Sequence, residues 1–378
     1  MSADIKTAVI WHGIFNDIDY LGRFIRDVSI RGGELSSRLS LCMVPYCSLV
    51  MHESLRKLQE IDPTISAAFT DEAREVSARS RHSLKLFEDT KRGVEGQVAY
   101  FRDEIFSAHS SYFLGNTWLW LARRFETDLA LFGYDDRLIS TSHAVAFHYG
   151  FDPGTLLEDE AGAHIQSIFA EYGSYFASLG ARIDMSGPDT FIKGASSSKL
   201  NKSQDVRSER IYRKVFNGRE TPEINAVLMV FQSMLNFVDT VLPAGGDGRS
   251  VELTVFKIQY LVLYQVLHSV RALIDTPGYA LTPTSTVIAK RIIESDFAKS
   301  ILSRDTKPFR NMLMHYNLPH RINPDQVDFL KPFYGILPIY FSDVDEPTFV
   351  SLVHRNLSET SALFNEWSAS QGWRAWPH

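Results

Sequence analysis

Apolar residues recur at three- and four-residue spacings along most of the chain, as in helices that bury one stripe. Residues 11–60 and 70–132 carry this pattern. In TWLWLARRFETDLALF, Trp118, Leu121, Phe125, Leu129 and Phe132 share one stripe, which predicts a helix. Pro63 and the pair Asp135-Asp136 punctuate this part. LISTSHAVAFHY, near 138–149, is partly β-branched and reads as a strand or as a buried helix. Turn residues crowd the region 153–195: DPG at 152–154, SGPD at 186–189, then KGASSSKLNKS. A second helical part opens at TPEINAVLMVFQSMLNFVDTVL, with Thr221 as N-cap, Pro222 in the first helical position and Glu223 facing the helix dipole. GGDG at 245–248 predicts a tight turn into a long helix over 250–274, followed by a third over about 283–303. A helix through FRNMLMHY comes next, capped by Asp305 or Thr306, with Pro308 in its first turn and LPHRINPDQ at its end. TFVSLVHRNLSETSALFNEWSAS predicts one more amphipathic helix. The expected fold is predominantly helical, all-α: an N-terminal helical domain (1–150), a turn-rich basic connector (151–220) and a C-terminal helical domain (221–378).

Composition narrows the function classes. The 378 residues allow two domains of ordinary size, and 44% apolar with 22% charged residues is ordinary for a soluble globular protein. A net charge of -6 argues against coating nucleic acid by bulk electrostatics but leaves room for a local basic groove. Such a candidate is the Ser-rich stretch 193–219, where Lys193, Lys199, Lys202, Arg207, Arg210, Arg213, Lys214 and Arg219 face only Asp205 and Glu209. It reads as a solvated linker or as a basic segment that touches phosphates. Cys42 and Cys47 have no second Cys/His pair beside them and are expected as core thiols rather than zinc ligands. His143 and His148 are five apart, which is not the helical zinc spacing, so core packing is expected for them too. The start lacks a basic segment followed by a long apolar run, and VFKIQYLVLYQVLHSV is interrupted by Lys257, Gln259, Gln265 and His268. A cytoplasmic protein without a membrane partner is expected. No P-loop, HExxH, GxSxG or dinucleotide glycine fingerprint supports an ATPase, zinc protease, hydrolase or dehydrogenase, and no cofactor or metal is expected.

The chemistry concentrates in FRNMLMHY, residues 309–316. Arg310, Asn311 and His315 bring a fixed cation, an amide and an imidazole into two helical turns. The motif resembles the signature of the HEPN superfamily (higher eukaryotes and prokaryotes nucleotide-binding): Arg, four to six residues, then His, often with Asn, Asp or His directly after the Arg. The resemblance covers roughly residues 221–378. It implies a small helical domain and metal-independent RNA cleavage at a site completed by two facing domains. It also implies kinship with toxins and anti-virus effectors, some of them catalytically dead.

Spacing alone does not select the pair, since Arg102–His109 and Arg137–His143 also satisfy it. Arg137 is followed by Leu138 and is set aside. Arg102 precedes Asp103 on a predicted helix and is carried as a second, divergent motif.

RNA cleavage by its own 2′-hydroxyl requires a base, an acid and positive charge on the phosphorane. Histidine can take either proton role. A guanidinium holds two phosphate oxygens at once. Asn311 and His315, four apart, share a helical face. Arg310 lies roughly 140° round the helix from His315, so one motif looks incomplete. The expected complement is Arg102 with His109 or a second copy in a homodimer. Arg102 and His109 share a face but stand about 10 Å apart along the axis. Lys307, Tyr316, His320 and Arg321 flank the motif as expected RNA contacts, Tyr316 by stacking on a base. The competing expectation is a helical module that binds RNA, a nucleotide or a protein through this surface without cutting.

Overall fold

Two long N-terminal helices frame the molecule. In the computed structural model, which describes residues 2–86, 93–150, 153–154, 161–180, 188–218, 221–243, 252–276, 278–279, 281–342 and 344–370, α1 spans Ser2–Arg31 and α2 spans Gly33–Ile61. Gly32 and Gly33 separate them at φ 59° and 75°, a conformation that glycine adopts without a Cβ penalty, and α2 packs back on α1. Helix α3 (Asp71–Leu86) lies on α2. Helix α4 (Gly93–Tyr100) continues through a π turn at Phe101–Phe106 into α5 (Ser107–Phe113).

A small antiparallel sheet follows: β1 (Leu129–Tyr134), β2 (Arg137–Thr141) and β3 (Gln204–Val206), in the order β2-β1-β3. Asp135 and Asp136, both at positive φ, form the two-residue hairpin turn. Both readings of 138–149 therefore hold in succession. The strand ends at Thr141, whose side chain caps α6 (Ser142–Tyr149) by accepting from the Ala144 amide.

Among the described residues, the remaining α-helices of five or more residues are α7 (Ala161–Ser178), the short α8 (Ser208–Tyr212), α9 (Pro222–Asn236), α10 (Leu253–Asp275), α11 (Pro283–Glu294), α12 (Asp296–Ile301), α13 (Lys307–His315) and α14 (Glu346–Ala369). The predominantly helical class is as expected, and the expected long helices over 250–274 and through the C-terminal stretch are present as α10 and α14. The GGDG turn lies outside the described residues.

Two expectations change. The 283–303 helix is broken at Ser295, which leaves helical geometry (φ -60°, ψ 148°) and caps α12 through its hydroxyl. The stripe from Trp118 to Phe125 forms no long helix: these residues lie in a loop with one 3-10 turn, Ala122–Phe125, before β1. The Glu126 carboxylate folds this loop by accepting from the amides of Gly115 and Thr117, and the stripe meets no core. Pro222–Val241, finally, is long and apolar enough to cross a membrane, but 89% of its apolar window is buried inside the fold.

Helix α9 crosses β2, α10 touches α1, and α13 touches α2. One hydrophobic core thus runs from Val9 to Trp367 and passes through the expected boundaries at 150 and 220. The motif helix is pinned to it by Phe309, fully buried among Tyr260, Phe333, Phe341 and Phe349 at ring-centroid distances of 5.4–5.7 Å. Truncating such a residue typically costs about 3–5 kcal/mol.

Candidate functional site

Helix α13 carries the motif, and its two key side chains part company. Arg310 turns inward and is buried, with its guanidinium 5.4 Å over the Tyr264 ring of α10 and Nη1 donating to Asn311 Oδ1 at 2.9 Å. It therefore does not reach the surface as the expected phosphate clamp. The cause is helical geometry: Arg310 follows Phe309 on the side that the core claims, and the 140° offset turns it away from His315.

His315 faces the N-terminal half. Its side chain is 21% exposed, and Nδ1 lies 2.8 Å from Glu53 Oε2 on α2. A carboxylate accepts only, so Nδ1 carries the proton and the fold leaves Nε2 for other work. Glu53 is buried and also receives Arg81 Nε at 2.9 Å and Arg56 Nη2 at 3.0 Å. Burial pushes the Glu53 carboxyl up. The hydrogen bond and charge of His315, with the charges of Arg81 and Arg56, outweigh it and bring the group down to about 2. At neutral pH Glu53 is an anion fixed under the imidazole.

Beyond the ring lies an open groove of about 660 Å³. Asn311, His315, Asn317, His320 and Arg321 line it from the motif side, and Lys6 of α1 lines it from the other. His320 and Arg321 are exposed, and Arg321 is braced by the Asp305 carbonyl at 2.7 Å and by the Tyr340 ring at 4.3 Å. Lys307 is exposed in the first turn of α13.

The opposite side of α13 is closed by a second buried carboxylate. Tyr316 ends the helix in the left-handed region (φ 57°), which disfavours a bulky residue. It is buried, and its hydroxyl donates to Asp17 Oδ2 of α1 at 2.7 Å. Base stacking by Tyr316 is excluded by this burial. Lys257 Nζ also donates to Asp17 Oδ2, and Thr254 Oγ1 donates to Oδ1 at 2.9 Å. Helix α1 approaches through Gly13, where a Cβ would come within 2.9 Å of Tyr316 Cδ1. A cavity of about 540 Å³ adjoins this cluster.

The second motif does not assemble on the surface. Arg102 is exposed and paired with Asp103 at 2.8 Å, whereas His109 is buried, with its ring 4.4 Å from that of His143 and 5.7 Å from that of Phe113. The π turn between them winds the chain more slowly than an α-helix and undoes the shared face that seven residues of regular helix provide. Burial lowers the pKa of His109 against the opposing pull of Asp128. His143 is held inside by the Tyr212 hydroxyl at 3.0 Å and the Asp128 carbonyl at 3.1 Å, and burial takes it well below the ordinary histidine range. What faces His315 is the Glu53–Arg81–Arg56 cluster, not Arg102 and His109. Glu53 and Arg56 are visible in the sequence only as an ordinary i,i+3 helical pair, 262 and 259 positions from His315, and no local pattern links them to it.

Among the described residues no group of three or more His, Cys, Asp or Glu side chains is arranged to hold a metal ion. Burial raises both thiols, Cys42 to about 12. Comparison with protein-family models, with curated proteins and with solved structures finds no match to this chain.

Proposed function

We propose that the protein is a metal-independent endoribonuclease of HEPN type, acting in the cytoplasm with His315 as its proton-transfer group. The observation that carries this reading is the His315–Glu53 pair at the wall of a groove rimmed by Lys6, His320 and Arg321. A buried anion on Nδ1 fixes the tautomer and holds the ring in place, so Nε2 can exchange a proton with RNA. The 2′-oxygen attacks the adjacent phosphorus as its proton leaves. The bond to the 5′-oxygen breaks as that oxygen gains a proton, and the upstream product ends in a 2′,3′-cyclic phosphate. His315 serves one of these transfers. His320 on the same groove, or His315 of a second copy, serves the other.

The groove cations receive the phosphate, and Asn311 offers its amide N–H groups to a phosphate oxygen. Arg310 is a positioning residue: its hydrogen bond to Oδ1 orients the Asn311 amide.

The burial of Arg310 favours a second reading, an RNA- or nucleotide-binding module that uses this surface without cutting. Incubating the purified protein with labelled total RNA, with and without EDTA, separates the two. Cleavage that persists in EDTA, leaves cyclic phosphate ends, spares DNA and falls about 10²–10⁴-fold in His315→Ala is expected. Activity that vanishes in EDTA and returns with magnesium would refute the mechanism, as would a folded His315→Ala protein that cuts at the parent rate.

A further inference from the structure

Among the described residues, five large, well-exposed apolar side chains cluster in one place. In the loop between α5 and β1, Trp118 is 92%, Trp120 75% and Phe125 71% exposed, with Leu119 and Leu121 between them. Three bare aromatic rings within eight residues exceed the scattered apolar exposure usual on a protein surface. The loop is nevertheless held in shape by the amide hydrogen bonds to Glu126.

Beside it runs an open groove of about 390 Å³ where this loop meets β3 and α8. Arg124, Arg207, Arg210 and Lys214 line it, against Glu126 and Asp205. None of the four cations makes an ion pair among the described residues, and Glu126 is already spent on the backbone. The Arg124 guanidinium lies 4.7 Å over the Phe125 ring, so cation and aromatic surface are continuous. Three cations of the basic stretch that sequence leaves as linker or phosphate contact, Arg207, Arg210 and Lys214, are therefore built into a groove edge.

We propose that this loop and groove bind single-stranded RNA, with bases stacked on Trp118, Trp120 and Phe125 and phosphates along Arg124, Arg207, Arg210 and Lys214. The choice of RNA rests on the cleavage reading. The single-strand preference rests on the patch itself: stacking needs bases that a duplex hides, and a row of cations in a groove matches a flexible backbone. A bilayer is a poorer fit, because the cations sit in a concavity that a broad, flat lipid surface does not enter. A second copy is poorer still, since two such cationic grooves repel each other across a two-fold. The patch belongs to the sheet side of the molecule. There Arg38 of α2 binds the Asn201 carbonyl and stacks on Phe132 of β1, and Glu53 lies fifteen residues farther along α2, about 22 Å at the helical rise. A strand engaging both places spans several nucleotides.

Fluorescence anisotropy with a fluorescein-labelled 20-nucleotide oligouridylate tests this, in a His315→Ala background so that the probe survives. Replacing Trp118 and Trp120 together by alanine is expected to weaken binding at least about tenfold. Arg210→Ala with Lys214→Ala is expected to lower the slope of log affinity against log salt by about 1.4. All four side chains are exposed, so circular dichroism should match the parent for both variants. A duplex of the same length should bind more weakly, and phosphatidylserine vesicles should not sediment with the protein. Parent-like binding by both variants, a duplex bound as tightly as the single strand, or tryptophan-dependent vesicle binding overturns the proposal. RNA bound through the loop but left uncut by the wild-type protein defeats the cleavage reading alone. RNA cut without loop-dependent binding defeats this one alone.

Discussion

Two buried carboxylates of the N-terminal helices grip successive residues of the motif segment: Glu53 holds His315 and Asp17 holds Tyr316. Their partners differ in kind. Asp17 meets one ammonium, Lys257, and two hydroxyls, Tyr316 and Thr254, all buried, so the charges cancel one to one. Glu53 meets two guanidinium groups and an imidazole, and the Arg56 and His315 side chains are 48% and 21% exposed. The first cluster is closed and neutral, a clamp that fixes where the helix ends. The second opens toward water, with Arg56, which also lies 4.0 Å from Glu60, and His315 at its solvent side. Adjacent residues, each hydrogen-bonded to a buried acid, thus differ in setting: Tyr316 is closed inside the fold, and His315 lies at the groove, where the proposed function gives it proton transfer.

The largest effect should follow from breaking the closed cluster. Asp17→Ala leaves Lys257 buried without its counter-charge and is expected to cost about 3–5 kcal/mol in urea unfolding. Glu53→Ala should cost less, because two of its three partners can turn to solvent. A larger loss for Glu53→Ala would reverse the comparison.

The open cluster should instead announce itself through pH. The folded Glu53 carboxyl titrates at about 2, below its ordinary value of 4.5, so its ionised form is favoured by folding. That stability is present above the unfolded pKa and is lost as pH falls from about 5 through 2, amounting to about 3 kcal/mol at most. Urea midpoints measured across this window should fall for the parent and flatten in Glu53→Gln. Equal slopes would mean that the acid is not held by its cations.

A subtler test compares the neighbours directly. Tyr316→Phe removes only the hydroxyl donated to Asp17 and is expected to cost about 1.5–3 kcal/mol, the usual value of a hydrogen bond to a charged group. RNA cleavage per folded molecule should be unchanged. His315→Ala should do the opposite, with a small change in thermal midpoint and a large loss of cleavage. If both variants lose stability and activity together, the division of labour fails.

Much of the helical architecture is legible in the sequence, because a stripe of period 3.6 buried on one side is a local property. Thr221-Pro222 and Pro308 mark the helix starts they predict. The same periodicity misleads at Trp118–Phe125, where apolar residues at helical spacing lie on a loop that Glu126 folds. Period reports which residues would share a face and not whether a core exists to receive it. The site was legible only in part. His315 and Asn311 reach a groove as their four-residue spacing suggests. The inward turn of Arg310 depends on which side of α13 the aromatic core occupies, and the partnership of His315 with Glu53 depends on how α2 meets α13. Both are tertiary facts with no local trace.

The smallest expected effect is the most telling about that limit. Arg102 and His109 match the motif spacing as well as Arg310 and His315 do, yet the structure sends one to solvent and the other into the core. Arg102 is exposed, and its neighbour Asp103 already absorbs part of its charge. Arg102→Ala should therefore leave both the thermal midpoint and RNA cleavage at parent values, while Asn311→Ala, on the groove, lowers cleavage without unfolding the protein. The two substitutions need to be assayed side by side at equal concentration, because a homodimer could bring Arg102 of one copy to the groove of another. Unchanged activity at several concentrations confines the chemistry to the groove beside Glu53. A loss in Arg102→Ala that deepens on dilution would instead make Arg102 a contributor in trans, and the Glu53 cluster would then be only half of the site.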